Sequence, residues 1–511
     1  MRHVGRFLVA AWLLIGLASP GLAQEGSLTI AYHSGPGNEA PDPRARQWGW
    51  LSNQMGVTET LMGLDFELQL YPRLAESIEQ SGPTTWRVTL REGVTFHDGS
   101  PVTAQSVIDS LTPISEEGHP AHNARLVDLL DLAEMKTDGE LVVVFETNKP
   151  NAAFAWTLTE PGVVVLGEAS EAFPINATGP FIFREVVADQ WYRVEANPNY
   201  RDGAPALAEA TIRKMTDPAA AALAFEAGDV DLVINYAETD YERILSTGAQ
   251  GYAAPTTRLY HYALNHRSGP LTNKLIHRAV SLAIDREGIV EAALSDVGGV
   301  PAGAIFPQAM KDWAADIAPV YDPAEAERLL AEAGAVKENG LWMLDGEPLT
   351  IRIVTYSSRA ANPPTAELTQ AYLQAIGITA TVSIGEFSAN NEAIANGTAD
   401  MHLQAFGTAP QGDPSYFPEL LLAGPGFKIG GNVGGYANPD LDALLTEGRQ
   451  TFDKAERQRI YTKVQELITE EAALIPVFHS NQTSVAQAGL SGFKVHPAET
   501  YWLNTEVALT E

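Results

Sequence analysis

The feature of this 511-residue chain that most constrains its fold is a regular alternation of two hydrophobic patterns between residues 349 and 406. Apolar runs typical of strands, at 349–356, 378–384 and 401–406, are separated by segments with helical spacing at 364–376 and 390–396. Strands that alternate with helices in this way form βαβ units, so the pattern predicts a mostly parallel α/β sheet. Because ligands bind at the carboxyl ends of such strands, we expect chemistry in the loop after the third run.

The first half of the chain has a different pattern. Between residues 141 and 183, short apolar strands are separated by Pro and Gly without long helices, which is typical of a mixed sheet. Further on, Asp217 can cap a helix that has Pro218 at its first position, and Gly228 ends that helix before a strand at 230–234. The chain is therefore predicted to combine a mixed part with αβ units.

The N-terminus is typical of a cleavable export signal. Arg2 and Arg6 flank the start of an apolar run at 7–17, and the segment ending at Ala23 has the small outer residues that suit a signal peptidase. The apolar run is about half of the ~20 residues that a membrane-spanning helix needs. Cleavage after Ala23 would leave a mature protein that we expect to be soluble. At about 100–200 residues per domain, this protein is too long for a single domain.

Composition narrows the location and the partners. The chain has no cysteine, which excludes disulfides, thiolate metal sites and N-terminal lipid attachment. It has 33 Lys plus Arg against 64 Asp plus Glu, a formal net charge of −31, which disfavours nucleic acid and anionic lipid as partners. We expect a free periplasmic protein of a Gram-negative cell.

A segment near the N-terminus carries a specific resemblance. Trp86, Val88 and Leu90 alternate along one face of a strand, Asp98 begins a turn, and Thr103 is placed to cap a helix. The string W-x-V-x-L-R-x-G-V-x-F-H-D-G-x-P-V-T-A resembles the signature of the peptide and nickel class of solute-binding proteins that serve ABC importers, bacterial extracellular solute-binding protein family 5.

The resemblance implies a fold and an organisation. The implied fold is α/β, the two-lobed periplasmic-binding-protein-like fold (type II, cluster C), with an extra mixed α/β subdomain in lobe 1. Lobe 1 would cover residues 24–259, with the subdomain at about 45–175, lobe 2 would cover 260–480, and 481–511 would return to lobe 1. Two crossings, near 260–264 and 478–485, would form a hinge. The implied partners are ABC permease subunits with their ATPases; the protein is expected to be a monomer without a cofactor.

The resemblance also places a second-lobe ligand loop between residues 405 and 422, anchored by Asp413 and Phe417. In the dipeptide and oligopeptide binders, an aspartate shortly before the Asp-Pro pair takes the ligand's α-ammonium group, but Pro410 occupies the matching position here. The nickel binders offer Trp and Tyr, which map onto Thr408 and Gly412, and a following His that has no counterpart. Both family sites therefore lack a key group in this chain.

Other site candidates come from family position. Glu160 aligns with an arginine that grips chelator carboxylate in the nickel-chelate binders; here it would favour an ammonium or guanidinium group, unless it is simply an exposed acid. After the first strand come Arg46, Gln47, Trp48 and Trp50, with the two tryptophans spaced for one strand-like face; either can instead be core. The remaining ligand-binding candidates are Phe406, Thr408, Gln411, Tyr416, Tyr436, Tyr501 and Trp502.

The predicted function is capture of a short peptide or related amine-bearing solute by hinge closure, for delivery to a permease. A metal chelate is the alternative, motivated by the family's nickel branch and by His119 and His122, although Pro120 breaks a helix that would align them. The chain has no H-E-x-x-H, G-x-S-x-G or G-x-x-x-x-G-K motif, so catalysis is not predicted and an exported hydrolase is a distant alternative. A chaperone or sensor without a transporter is a further one.

Overall fold

The computed structural model describes residues 26–37, 41–45, 47–424, 427 and 431–510. The predicted export signal at 1–23 and the candidate Arg46 lie outside the described residues. Among the helices of the described part, none has the length and apolar character that crossing a bilayer requires.

The strands, in chain order, are β1 (Ser27–Tyr32), β2 (Met62–Leu64), β3 (Leu70–Pro72), β4 (Ala75–Gln80), β5 (Thr85–Leu90), β6 (Leu132–Thr137), β7 (Val142–Thr147), β8 (Phe181–Val187), β9 (Trp191–Ala196), β10 (Glu209–Lys214), β11 (Leu232–Ile234), β12 (Gln250–Leu264), β13 (Gly299–Pro301), β14 (Val336–Glu338), β15 (Leu341–Leu344), β16 (Glu347–Pro348), β17 (Thr350–Thr355), β18 (Thr379–Ile384), β19 (Met401–Gly407), β20 (Leu474–Ala486), β21 (Leu490–Ser491) and β22 (Ala508–Leu509).

The α-helices are α1 (Gln47–Gln54), α2 (Ala104–Ser115), α3 (Ala124–Leu130), α4 (Phe154–Thr157), α5 (Pro218–Glu226), α6 (Tyr241–Leu245), α7 (Lys274–Leu282), α8 (Arg286–Leu294), α9 (Pro323–Glu332), α10 (Asn362–Ala375), α11 (Phe387–Ala395), α12 (Tyr416–Leu421), α13 (Pro439–Gln450) and α14 (Lys454–Glu470). Short 3-10 turns lie at Glu238–Asp240 and Pro270–Thr272.

One large mixed sheet runs through the molecule in the order β18-β17-β19-β12-β20-β11-β1-β10-β9-β8, and β13 pairs with β20. At one end β17 is parallel to both β18 and β19, with α10 and α11 as the connections. Farther along, β1 is parallel to β10 and β11. The βαβ units predicted for residues 349–406 are confirmed, since both connecting segments are helices.

Two long central strands join the halves of this sheet. Residues 250–255 of β12 pair with 481–486 of β20, and residues 259–263 pair with 474–479. Between these stretches the register shifts, so that residues 256–258 face Ser480 alone. On one side β20 continues to β11, and on the other β12 continues to β19. The two crossings predicted near 260–264 and 478–485 fall on these strands.

A separate four-stranded antiparallel sheet, β4-β5-β7-β6, lies between residues 75 and 147. Trp86, Val88 and Leu90 are buried on one face of β5, as their alternation predicts. Thr103 caps α2: its Oγ1 accepts a hydrogen bond from the Ser106 amide at 3.2 Å, and Ser106 Oγ accepts one from the Thr103 amide at 2.9 Å. This reciprocal capping fixes the start of the helix that packs on β7.

We expect Thr103→Ala to lower the free energy of unfolding by about 1 kcal/mol, because it leaves amide groups at the start of α2 without their acceptor. Urea denaturation of the purified variant measures this. Gln105→Ala, at an exposed position on the same helix, is the control and should stay within about 0.5 kcal/mol of the unmodified protein. Equal losses in both variants would contradict a capping role.

Candidate functional site

A cavity of about 290 Å³ lies beside the register shift of β12. Its walls come from both halves of the large sheet: from the chain after β1 and helix α1 on one side, and from the chain after β17 and β19 on the other. The residues that line it include Tyr32, Gln47, Trp50, Arg359, Phe406 and Tyr416. Aromatic walls with a few polar groups are typical of a small-molecule site.

A smaller crevice of about 30 Å³ adjoins this cavity, and the two share Tyr32, His33 and Arg359 as lining residues. The crevice is lined further by the turn after β11, which includes Asn235 and Glu238, and by Ser358, Tyr260, Ser480 and Asn481. We call the cavity and the crevice together the cleft. Because residues after β11 and after β17 face each other across it, the cleft lies between the two halves of the sheet.

Arg359 is the charged group that stands out in the cleft. Among the described residues it has no ion pair and no side-chain hydrogen bond. Burial lowers its pKa, but the phenols of Tyr260 and Tyr356 and the carboxylate of Glu499 outweigh this, so the pKa is raised and the guanidinium stays protonated. A half-buried arginine without an acidic partner is a candidate for binding an anionic group of a ligand.

Arg258, at the register shift, differs from Arg359 in being paired. Its Nε donates to Glu499 Oε1 at 2.6 Å, and its Nη2 contacts the other carboxylate oxygen. Burial raises the pKa of Glu499, but Arg258 outweighs this and holds the pKa below its ordinary value. The pair is neutral overall, so it leaves Arg359 as the uncompensated positive charge at this point of the cleft.

The aromatic groups near Arg359 are uncharged at neutral pH. Burial lowers the pKa of His33 well below its ordinary value, with Arg359 and Arg258 adding to the effect, so the imidazole is neutral. Its Nδ1 is buried and has no partner among the described residues. Burial also raises the pKa of Tyr32, which keeps its phenol protonated. His33 and Tyr32 therefore offer neutral donors and acceptors beside the Arg359 guanidinium.

Several predicted site residues line this cavity: Gln47, Trp50, Phe406 and Tyr416. The strand-like spacing predicted for Trp48 and Trp50 is wrong, because residues 47–54 form α1. Trp48, Leu51 and Met55 are spaced as one helical face and are buried, with Trp48 packed edge-on against Phe183. Residues two positions apart on a helix point to different sides. Of the two tryptophans, therefore, Trp50 lines the cavity and Trp48 does not.

The sequence model of the bacterial extracellular solute-binding proteins, family 5 Middle, matches residues 69–428. The chain belongs to this family. The oligopeptide-binding protein AppA of Bacillus subtilis (strain 168) is 26% identical over 466 residues, 86% of this chain and 84% of AppA. The glutathione-binding protein GsiB of Escherichia coli (strain K12) is 26% identical over 468 residues, 86% of each protein.

The fold of this solute-binding protein is shared with solved structures. NikA from Staphylococcus aureus, in complex with Ni(L-His)2, matches it with a TM-score of 0.81 at 19% identity, and the match covers 95% of this chain and 100% of that one. At that identity the likeness shows the fold alone. The predicted family and fold class are both confirmed.

Glu160 lies behind the cavity wall of the solute-binding protein, where it is fully buried. Arg125 Nη2 donates to Glu160 Oε1 at 2.5 Å, and Arg125 Nη1 donates to the phenol oxygen of Tyr416 at 3.3 Å. The charge of Glu160 is thus neutralised from within the protein. Its contact with a ligand stays a prediction, and in this geometry it positions Tyr416.

The other candidates lie outside the cavity lining that the described residues define. Thr408 Oγ1 donates to the carbonyl of Thr257 at 2.8 Å, and the Tyr436 hydroxyl donates to Glu471 at 2.8 Å. The rest are Gln411, which is buried with its Nε2 unpartnered, Trp502, which packs edge-on against Tyr32 at 4.7 Å, and Tyr501, whose ring lies 4.3 Å from the Arg73 guanidinium. Their roles in binding stay predictions.

The alternative metal site is not assembled in the described part of the protein. His119 accepts a hydrogen bond from the Ala121 amide at 3.0 Å through Nδ1, which places it in a local turn. Among the described residues, no group of three or more His, Cys, Asp or Glu side chains could hold a metal ion.

Sequence reasoning missed the charged residues of the cleft, which are Arg258, Arg359, Glu238 and Glu499. One signal could have found Arg359: it follows β17 by four residues, at the carboxyl end of a parallel strand where ligands bind. The pairing of Arg258 with Glu499 joins residues 241 positions apart. No local pattern reveals such a contact.

Proposed function

We propose that this family 5 protein is the periplasmic substrate-binding component of an ABC importer. It captures a short peptide or a related amine-bearing solute between two lobes and delivers it to the permease without changing it chemically. The proposed lobe 1 covers residues 24–259 and 481–511, with the extra subdomain at about 45–175, and lobe 2 covers 260–480. The signal at 1–23 exports the chain, which acts as a monomer.

The observation that carries this proposal is the unpaired guanidinium of Arg359 in a cleft between the halves of the sheet. Every linear peptide with a free C-terminus ends in a carboxylate, and arginine binds a carboxylate through two parallel hydrogen bonds. The names of AppA and GsiB state oligopeptide and glutathione binding, which supports the same class of solute.

Capture follows from contacts to both sides of the cleft. A solute that touches Arg359 on one side and the residues after β1 on the other favours the closed arrangement. Converting a 1:99 equilibrium to 99:1 takes about 5.5 kcal/mol of differential binding, which micromolar affinity, about 8 kcal/mol, can supply. The register shift at residues 256–258 is the place where the two central strands can bend.

The test begins with native mass spectrometry of freshly purified protein, which identifies retained cargo. Calorimetry with dipeptide to pentapeptide pools then measures binding, and small-angle scattering measures compaction. We expect micromolar or tighter binding of at least one pool with a smaller radius of gyration. No heat from any pool, or hydrolysis of a bound peptide, would contradict the proposal, and retained nickel without peptide would support the metal-chelate alternative.

A further inference from the structure

Glu238 is a carboxylate of the cleft that lies apart from the Arg258–Glu499 pair. It lies in the 3-10 turn after β11, and its side chain lines the small crevice of the cleft. Asn235, at the end of β11, has a positive φ of 60°, so the chain turns sharply here to bring the following residues into the crevice.

Glu238 differs from the other carboxylates that the fold encloses. Each buried carboxylate in the described residues is paired with an arginine; the set is Glu59, Glu160, Asp400, Asp413, Glu419 and Glu499. Glu238, which is half-buried, has no ion pair and no hydrogen bond from another side chain among the described residues. Burial raises the pKa of Glu238 to about 7, only partly opposed by its own backbone amide and by Arg359.

We infer that Glu238 binds a primary ammonium group of the solute, an assignment that rests on the proposed function. Glu238 and Arg359 line the same crevice without forming an ion pair with each other. A solute that carries both an amine and a carboxylate would satisfy the two unpaired charges at once. Since Glu238 follows β11 and Arg359 follows β17, such a solute would also bridge the two halves of the sheet.

The size of the crevice selects among cations. Its volume of about 30 Å³ has room for roughly two water-sized groups. An ammonium group is of that size, whereas a planar guanidinium with four heavy atoms is larger. Ser358, Ser480 and Asn481 line the same space and supply oxygen acceptors for the remaining ammonium protons. The inferred cation is therefore a primary amine.

The position of Glu238 also explains how the chain can bind an amine without the aspartate that the dipeptide and oligopeptide binders have in the second lobe. Pro410 occupies that place and cannot accept a hydrogen bond through its side chain. Pro410 lines the larger cavity, Glu238 lines the crevice, and Arg359 lines both. The cationic end of the solute would thus be held by the half of the sheet that contains β11.

The binding test uses Ala-Ala-Ala and its N-acetylated form as a matched pair of probes in calorimetry. We expect the unmodified protein to bind the free amine about 10- to 100-fold more tightly than the acetylated peptide, the range for a charged hydrogen bond. Glu238→Gln should bring the two affinities to within about threefold. Glu242→Gln, an exposed acid of the adjoining helix α6, is the matched control and should leave the ratio unchanged. An unchanged ratio in Glu238→Gln would overturn the inference.

A second variant moves the carboxylate without removing its charge. A Cβ added at Gly298 would lie 2.4 Å from Glu238 Cγ, so Gly298→Ala must displace the Glu238 side chain. We expect a smaller but clear loss of the preference for the free amine. If the unmodified protein binds neither peptide, the peptide proposal fails, and crystals soaked in ethylammonium chloride decide the inference. Ethylammonium density at Glu238 would support it, and a crevice without the cation would overturn it.

Stability measurements separate this role from a structural one. Because the folded pKa of Glu238 is raised from 4.5 to about 7, the folded protein binds a proton more tightly than the unfolded chain, and stability falls as pH rises across this interval. Glu238→Gln should therefore raise the melting temperature above that of the unmodified protein, and by more at pH 8 than at pH 5. A variant that melts below the unmodified protein at pH 8 would show that the carboxylate stabilises the fold.

The pKa values of the other titratable groups of the crevice are moved away from neutral pH. Burial raises the pKa of the phenols and lowers that of His33 well below 6.5; the phenols are Tyr32, Tyr236 and Tyr260. Asp240, which accepts a hydrogen bond from Tyr236, has a lowered pKa through Arg243 and stays ionised. From the chain after α8, Gly298 lies against the Glu238 side chain and carries no charge. The stability difference therefore reports on Glu238.

Discussion

The Arg457→Met variant should lose about 3–5 kcal/mol of unfolding free energy at pH 7. Arg457 Nη1 and Nη2 donate to the two carboxylate oxygens of Asp413 at 2.8 and 3.1 Å. Both side chains are buried, with exposed fractions of 4% and 0%. Methionine fills similar space but leaves the carboxylate of Asp413 in the interior without a positively charged partner. Chemical denaturation at pH 7 measures the loss.

The size of this effect should depend on pH. In the unmodified protein, burial raises the pKa of Asp413, but Arg457 outweighs this and holds the pKa below its ordinary value of 3.8. The stability that the pair supplies is therefore complete above that ordinary value and is lost as pH falls below it. In the variant, burial is opposed only by the hydrogen bonds from Ser415, so the carboxyl binds a proton more readily than in the unmodified protein. We expect a smaller difference between the two proteins at pH 4 than at pH 7.

Arg459→Met is the matched control, two residues along the same helix α14. The Arg459 side chain is 71% exposed, and among the described residues its one ion pair is with Glu456. Exposed pairs of this kind contribute about 0–1 kcal/mol, so this variant should be nearly neutral. Equal losses at both positions would mean that the helix, and not the buried pair, determines the result. Asp413 also accepts a hydrogen bond from the Ser415 amide at 2.9 Å, so Arg457→Met should loosen the loop that presents Tyr416.

The local part of the fold could be predicted from the sequence. The strands and helices between residues 349 and 406 follow from hydrophobic spacing, because each element buries its own apolar face. Asp217 and Thr103 cap helices as predicted, since a cap depends on residues at most three positions away. The resemblance added the two-lobed fold, which spacing alone cannot specify.

The site was harder to predict because its charges are brought together by the sheet. Gln47, Trp50, Phe406 and Tyr416 line the cavity, whereas Glu160 is neutralised by a helix residue that no alignment of a short segment could reveal. Trp48 was misread because two aromatic residues two positions apart suggest a strand. The helical spacing of Trp48, Leu51 and Met55 was the better signal. Arg359 is one charged loop residue. It is a binding candidate because no acidic side chain among the described residues pairs with it, and the sequence does not reveal this.

The absence of a partner for Arg359 leads to a second large expected effect: Arg359→Met should weaken binding of the tightest peptide found by more than 100-fold. Loss of one side of a buried, hydrogen-bonded charge pair costs about 2–5 kcal/mol, much of it from the ligand carboxylate left without a partner. Calorimetry measures the affinity. Small-angle scattering should show that the variant no longer becomes compact at a peptide concentration that closes the unmodified protein.

Two controls show whether this loss reflects ligand recognition. Arg359→Lys keeps the charge but cannot form two parallel hydrogen bonds, so its affinity should fall between those of the unmodified protein and Arg359→Met. Arg328→Met, at an exposed position on α9, should bind normally. Since Arg359 has no ion pair and no side-chain hydrogen bond among the described residues, its removal breaks no such contact of the fold, and the ligand-free variant should melt at nearly the same temperature as the unmodified protein. A lower melting temperature together with unchanged affinity would assign Arg359 to the fold and leave the cleft without its carboxylate anchor.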